Sequence, residues 1–383
     1  MNTNNVDITA VDSQAALKQF LAFPYDLYRN EPHWVAPLRF ERAAQINPAK
    51  NPGLDGLTIQ HFLARRGGEI VGRISAIKNQ NHLDIYQDGA GHFGYFDAVN
   101  DEVVKTALLK RVEDWLLEQG LTKMVGPFNA SINEEMGVLI DGFDTPPVLM
   151  MPFGRPDYQT TFESNGFTKA VDVFAYWTDM HAGYPRPKID TTMTNYVKND
   201  PDIVLRPMRM NGFMDEVKLA MSIFNDAWSE NWGFIPFSDA QIKHMANELK
   251  PLIIKDFFWV CEYKGKPAAF ILMVPNINEA IDDLDGKLLP FGWAKLIHRL
   301  KIKGLKTARI PLMGVRKEYQ RSRAGLAMAA SLSEKVFEMG RKRGFTHVEM
   351  SWILEDNKSM IRIIEQAQGV AYKTYRMYEK TIA

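Results

Sequence analysis

One order of structural parts occurs twice along this chain, and that repeat restricts the fold more than any local propensity. Residues 62–77, FLARRGGEIVGRISAI, read as two strands around a Gly-Gly turn. Residues 258–274, FWVCEYKGKPAAFILMV, read the same way around Gly265. Each hairpin is followed by a strand, a long amphipathic helix ending in glycine, and another strand. In the first half these are FGYFD, residues 103–120 and KMVGPF; in the second they are ARIPLMGV, residues 326–344 and THVEMSW. FESNGF (162–167) and IEQAQGV (364–370) are then helix ends running into a terminal strand. The pattern predicts two copies of one α/β unit, each a mixed, mostly antiparallel sheet flanked by helices. A Pro-rich linker at 183–193 would separate a first domain, 1–182, from a second, 194–383, which carries an insertion at 276–306. A length of 383 residues accommodates two domains of ordinary size.

The 46 basic and 46 acidic residues balance, so no global charge argues for nucleic acid and any electrostatic partner must be found locally. A single cysteine, Cys261, excludes an intramolecular disulfide framework and fits a reducing compartment; in the apolar run FFWVCEY it reads as a core thiol. The start MNTNNVDITAVDSQ has neither a basic stretch nor an apolar core, which leads us to expect a cytoplasmic protein without a secretory leader. The longest apolar run, residues 268–275, falls far short of the roughly 20 residues of a spanning helix.

Residues 310–327, IPLMGVRKEYQRSRAGLA, differ most in chemistry from their counterpart in the first half. An apolar strand passes through a basic turn onto a glycine and a helix, whose first amides lack intrahelical partners and sit at the positive end of the helix dipole. A pyrophosphate can dock on such a turn. Gly325 permits close backbone approach, Arg321 and Arg323 add charge, and Gln320 adds side-chain donors; a plain packing glycine is the alternative. The first half has DAVNDEVV at the equivalent place, with acids, no glycine and no basic group, and Asp97 or Asn100 there reads as a helix cap.

Together with HVEMSWILEDNKSM, about thirty residues on, this segment resembles the GCN5-related N-acyltransferase (GNAT) superfamily. Val315, Tyr319, Gln320 and Gly325 match its first motif and Asn357 its second, with Arg323 at the place of the central loop glycine unless one residue is inserted. GPFNASINEEMGVLIDGFDTPP, AWSENWGFIP and SWILEDN extend the resemblance to a two-domain bacterial branch that includes bacterial ceramide synthases. The resemblance implies acyl-coenzyme A as co-substrate and no metal. Its pyrophosphate would lie on Gln320, Arg321, Ser322, Arg323, Ala324, Gly325 and Leu326, and its pantetheine arm between the strands near Met313, Val315 and Asn357. It also implies an acyl transfer to a primary amine, with a sphingoid or other lipid amine as acceptor. The alternative is a catalytically silent acyl-coenzyme A binder or peripheral membrane protein on the same scaffold.

Such a transfer needs a base for the amine and a proton for the leaving thiolate. The family's acidic tyrosine, seven residues past the motif Asn, is replaced by Ile364, leaving Tyr372, Tyr375 and Tyr378 as substitutes, the last two favoured, with core packing as the alternative for each. Glu355 could deprotonate the acceptor; Asp356 and Asn357 serve equally as caps of the next helix. Asn225, Trp228, Glu230, Asn231, Trp232 and Phe234 are expected on an acceptor-side lid, with a helix-loop-helix packed by its aromatics as the alternative. Asn133, Glu134 and Glu135, in a polar loop with Asn129 and Asp141, would line a cleft or form a solvated surface. In the insertion, Trp293, Leu296, Ile297 and Leu300 follow the spacing of one helix face, with Lys295, His298, Arg299, Lys301 and Lys303 in other directions. A basic amphipathic segment at 289–306 can lie on an anionic membrane, placing the protein at the inner face of the cytoplasmic membrane, or simply cover the sheet.

Overall fold

A computed structural model of the chain describes residues 5–182 and 188–382, with the side chains of 188–191 left out. The chain divides into two compact units: Met1–Val173 with Ile281–Gly292 and Lys373–Ala383, and Phe174–Ala280 with Trp293–Tyr372. The division is not contiguous, because part of the insertion and the end of the chain count with the first unit. Of the expected linker, residues 183–187 lie outside the described residues, and 188–193 belong to a helix.

The first unit runs β1 (Asp7–Ala10), α1 (Gln14–Leu27), α2 (Arg39–Gln45), β2 (Leu57–Arg66), β3 (Glu69–Asn79), α3 (Gln80–Tyr86), β4 (Ala90–Ala98), α4 (Glu102–Glu118), β5 (Lys123–Gly126), β6 (Phe128–Asn129), β7 (Glu135–Met136), β8 (Val138–Asp141), α5 (Pro156–Ser164) and the start of β9 (Thr168–Asp179). After the end of β9, the second has α6 (Lys188–Asn199), β10 (Ile203–Pro207), α7 (Phe213–Trp228), α8 (Asp239–Leu249), β11 (Phe258–Tyr263), β12 (Lys266–Pro275), α9 (Asn278–Ile281), α10 (Gly292–His298), β13 (Thr307–Val315), α11 (Lys317–Gln320), α12 (Arg323–Lys342), β14 (His347–Leu354) and α13 (Lys358–Gln366). The last strand, β15 (Val370–Thr381), begins in the second unit and contributes its part from Lys373 onward to the first.

Each unit has the expected mixed sheet. In the first, β1, β2, β3 and β4 are successive antiparallel neighbours, β5 is parallel to β4, and β15 is antiparallel to β5 and β8. In the second, β10, β11, β12 and β13 are antiparallel neighbours and β14 is parallel to β13. The repeat read from sequence is therefore real: β2 and β3 correspond to β11 and β12, and β4, α4, β5 correspond to β13, α12, β14. Both hairpins turn through two residues of positive φ, Gly67 and Gly68 in one and Lys264 and Gly265 in the other, as a tight hairpin demands.

The parallel pairs need a crossover helix, and α4 and α12 supply it by burying one face each. Val104, Leu108, Val112 and Leu116 of α4 meet Phe62, Ile74 and Phe93; Met328, Leu332 and Val336 of α12 meet Ile271, Met273 and Val348. Cys261 lies in this second core, fully buried, and burial pushes its thiol up to about 12. The cap of α4 is Asp101, which accepts from Val103 and Val104 N–H, and not Asp97 or Asn100. Asp97 is one turn too early; it pairs with Arg73 at 2.7 Å and accepts from Tyr28 Oη at 2.5 Å.

Two imidazoles of the first unit are held neutral by burial, His61 near 4 and His92 near 3. An unfolded histidine titrates near 6.5, so below that pH the unfolded chain takes up protons that the folded chain refuses until these lower values are reached. Stability is complete above about pH 6.5 and falls as pH drops through this window. Thermal melts should show a midpoint that declines from pH 7 to pH 5, and His92→Phe should flatten that decline. An unaltered slope in the variant would mean that His92 is not the group resisting protonation.

Candidate active site

The site begins with an interrupted ladder in the second unit. β13 and β14 pair from Thr307 with His347 to Ile310 with Met350 and no further, although β13 continues to Val315 and β14 to Leu354. Where the pairing stops, Ile310 and Pro311 together stand opposite the single residue Met273 of β12, between the pairs Val274–Arg309 and Leu272–Leu312. This is a β-bulge, which bends the strand that carries the extra residue. Pro311 has no N–H to continue a ladder. Past this point the two strands form a fork whose facing edges are not paired with each other.

The first unit has the same fork in a closed form. β4 and β5 pair from Ala90 with Lys123 to His92 with Val125, and Tyr95 and Phe96 bulge opposite Ile74. Its gap is filled by the chain itself. Tyr95 N–H donates to Asn129 Oδ1 at 2.7 Å, and a Cβ on Gly94 would stand 1.6 Å from Phe128 O.

Around the open fork, α7 lines one side. Trp228 Nε1 donates to Met313 O at 3.0 Å, and its ring stacks on Phe224 at 4.8 Å, with Phe234 and Phe237 completing the cluster at 6.1 and 5.8 Å from Phe224. Asn225, three residues before Trp228 and so on the same helix face, has its Oδ1 buried without a hydrogen-bond partner among the described residues. On the other arm, the buried Trp352 Nε1 likewise lacks one, and its ring lies 5.1 Å from the Arg309 guanidinium. An orphaned acceptor and an orphaned donor thus occur on elements bordering one gap. The other expected lid residues are less directly placed. Glu230 is exposed and pairs with Lys317 at 2.7 Å, and Asn231 closes the turn after α7 through its N–H to Trp228 O. Trp232 and Phe234 are half-buried.

The turn after β13 is built as a rigid step. Ser322 caps α12: its Oγ accepts from Gly325 N–H at 3.0 Å and donates to Tyr319 O at 2.7 Å. Gly325 is needed because a Cβ there would come within 2.0 Å of Tyr319 O, so its close approach is to the chain's own backbone. Gln320, expected to offer donors to a ligand, instead directs Nε2 to Val315 O at 2.9 Å and Ala227 O at 3.0 Å, tying the turn to α7. Val315 pairs with Ala269 of β12, Ala324 is half-buried, and Leu326 is exposed. Arg321 and Arg323 are both exposed at the positive end of α12. Arg323 lies 5.1 Å from the ring of Tyr196 and lines, with Thr192, Asn195, Asn199 and Asp200, a polar trough of about 570 Å³.

The base of the fork holds a buried polar network that sequence spacing did not expose. Glu349, fully buried, accepts from Ser351 Oγ at 2.6 Å and from Tyr372 Oη, with Arg309 Nε 3.7 Å from its carboxylate. Arg309 in turn donates to Ser351 Oγ at 2.9 Å. Glu349 directly precedes Met350, the last paired residue of β14. Of the three tyrosines considered, Tyr372 is therefore the one joined to this network. Tyr375 and Tyr378 are buried in the first unit; Tyr378 donates to Glu163 at 3.1 Å and packs on Phe162, and burial pushes its hydroxyl up to about 12. Glu355 is half-buried, and Asn357 caps α13 by accepting from Met360 N–H at 3.1 Å. Asn133, Glu134 and Glu135 belong to the first unit. Glu135 pairs with Arg42 and accepts from Asn129 at 2.8 Å, Glu134 accepts from Gln45 at 3.1 Å, and Asn133 N–H meets Ser131 Oγ at 3.3 Å. Glu135 also borders a cavity of about 50 Å³ with Tyr95, Asp97 and Tyr158. The missed signal was Pro311, a proline inside an otherwise uninterrupted strand.

No family model matches the chain. It is 43% identical over 366 residues to Protein YghO of Escherichia coli, covering 96% of this chain and 93% of that protein. It is 42% identical over 391 residues to the bacterial ceramide synthase of Caulobacter vibrioides, covering 100% of this chain and 99% of that protein. Among solved structures, a tandem GNAT protein from the clavulanic acid biosynthesis pathway superposes with a TM-score of 0.59 at 11% identity over 99% of both chains. The GCN5-related glucosamine N-acetyltransferase region of a fungal multi-domain GH3 β-N-acetylglucosaminidase gives 0.57 at 14% identity, over 98% of this chain and 38% of that one. With the doubled forked sheet and these likenesses over its whole length, the chain belongs to the tandem GNAT-fold family that includes Escherichia coli YghO and the Caulobacter vibrioides bacterial ceramide synthase.

Proposed function

We propose that the second unit transfers an acyl group from acyl-coenzyme A to a primary amine, with a long-chain amine such as a sphingoid base as acceptor. The observation that carries this reading is the open fork between β13 and β14 set against the closed fork between β4 and β5. An extended pantetheine arm has amide donors and acceptors along its length, and an unpaired strand edge offers the complementary groups. Asn225 Oδ1 and Trp352 Nε1, an acceptor and a donor otherwise left unsatisfied in burial, fit the same ligand. Arg321, Arg323 and the first turn of α12 would hold the pyrophosphate, and the trough beside Arg323 the nucleoside end. The first unit lacks these provisions: the start of α4 already faces the carboxylates of Asp101 and Glu102. The name of the Caulobacter relative supports the lipid acceptor.

In the transfer the amine nitrogen attacks the thioester carbonyl, the C–S bond breaks, the nitrogen loses a proton and the thiolate gains one. A backbone N–H of the β13 edge would polarise the carbonyl. Tyr372 is the group we assign to the thiolate's proton, with Glu349 holding its hydroxyl, Ser351 donating to Glu349 and Arg309 donating to Ser351. Glu355, at the open end of β14, remains the assigned base for the amine.

Thiol release should be measured over acyl-coenzyme A donors of graded chain length with long-chain and small polar amines. We expect release with a long-chain amine; absence of both release and donor binding would refute the reading, and binding without release would leave only a carrier. Arg321→Glu with Arg323→Glu should raise KM for the donor roughly tenfold or more while kcat changes little. Tyr372→Phe should lower kcat by a factor on the order of 10² with donor KM nearly unchanged. If Tyr372→Phe is as fast as the unaltered chain, Tyr372 is a packing residue.

A further inference from the structure

The insertion contains a feature that acyl transfer does not use. Within residues 293–302, all of the second unit, four large apolar side chains are exposed: Trp293 by 50%, Ile297 by 48%, Leu300 by 37% and Ile302 by 75%. Isolated exposed apolar residues are ordinary, but a run of this density on one stretch of chain marks a contact surface. The stretch is held in this orientation from inside. Leu296 packs against the core of the second unit, Leu305 is buried, and Arg299 Nη1 donates to Ala280 O at 2.9 Å. Of the stripe expected on one helix face, only Leu296 turns inward. Trp293 and Ile297 are exposed within α10 itself, and a wider π-helical turn follows at Arg299–Lys303.

Charge selects what can cover these side chains. Residues 293–306 contain Lys295, Arg299, Lys301, Lys303 and Lys306 and no acid, and all of these basic residues but Arg299 are exposed. A second copy in a two-fold pair would set this segment against itself and bring like charges together. A bilayer rich in anionic phospholipid satisfies both features: acyl chains accept the apolar side chains, headgroups meet the lysines, and an indole such as that of Trp293 suits the boundary between them. No helix among the described residues is long and apolar enough to cross a membrane.

We infer that residues 293–306 of the second unit dock the protein peripherally on an anionic phospholipid surface, with Trp293, Ile297 and Ile302 entering the interface and Lys301 and Lys303 meeting the headgroups. The docking is independent of the transfer chemistry, because vesicle binding is read without turnover and a chain with no transferase activity would still show it.

The test is co-sedimentation of the full chain with phosphatidylcholine vesicles, with and without phosphatidylglycerol, at low and high salt. We expect binding only to the anionic vesicles, weakened by salt. Lys301→Gln with Lys303→Gln should lower the vesicle partition coefficient at least roughly tenfold. Ile297→Ser with Ile302→Ser should lower it by a similar or larger factor, with an unaltered thermal midpoint showing that the fold is retained. The inference is overturned if the unaltered chain stays in the supernatant, if either pair of substitutions leaves binding intact, or if those substitutions abolish a self-association seen without vesicles.

Discussion

The early end of one strand pairing sets the plan of the second unit. At Pro311 the strand has no N–H to give, one extra residue is accommodated opposite Met273, and the parallel ladder with β14 ends at once. Everything assigned to the site is arranged about that separation: the basic turn beyond one arm, the half-buried tryptophan on the other, and the helix whose indole satisfies Met313 O. The first unit repeats the bulge at Tyr95 and Phe96, but its gap is occupied by Phe128 and Asn129. Two copies of one architecture therefore differ by whether the chain fills its own opening.

A fork is stable only if its closed end is firm. Arg309, Glu349, Ser351 and Tyr372 provide this, because a buried carboxylate and guanidinium are costly unless their hydrogen bonds are met, and here the carboxylate is met from two sides. Such a network tolerates few arrangements of its members. It fixes the register of β13 and β14 at their last paired residues and positions the Tyr372 hydroxyl by the same bonds.

Much of this was legible in the chain. The hairpins, crossover helices and their order could be read because periodicity and turn chemistry are local, and the strand–turn–helix step after β13 because its residues are consecutive. What escaped depends on residues far apart in sequence. Nothing in AYKTYRMYEK distinguishes Tyr372 from Tyr375 and Tyr378; the distinction lies in Glu349, on another strand. Gly325 reads as a place of close backbone approach, and the atom it accommodates is Tyr319 O, while Gln320 donates to Ala227 O of α7, far away in sequence. The polar loop at 126–147 reads equally as a cleft lining or a solvated surface, and its acids Glu135 and Glu134 meet Arg42 and Gln45 of α2.

The place of the last strand bears on how such a protein comes into being. Lys373–Ala383 counts with the first compact unit, and β15 supplies the neighbour of β5 there. During synthesis, an N-terminal domain ordinarily folds while the ribosome is still making the next one. This chain cannot follow that schedule, because the first unit lacks a strand until the final residues emerge. Until then the free edge of β5 needs protection from pairing with a stranger. A chain cut after Val173 would carry an incomplete sheet in its first fragment, so the two units have to be made, and completed, together.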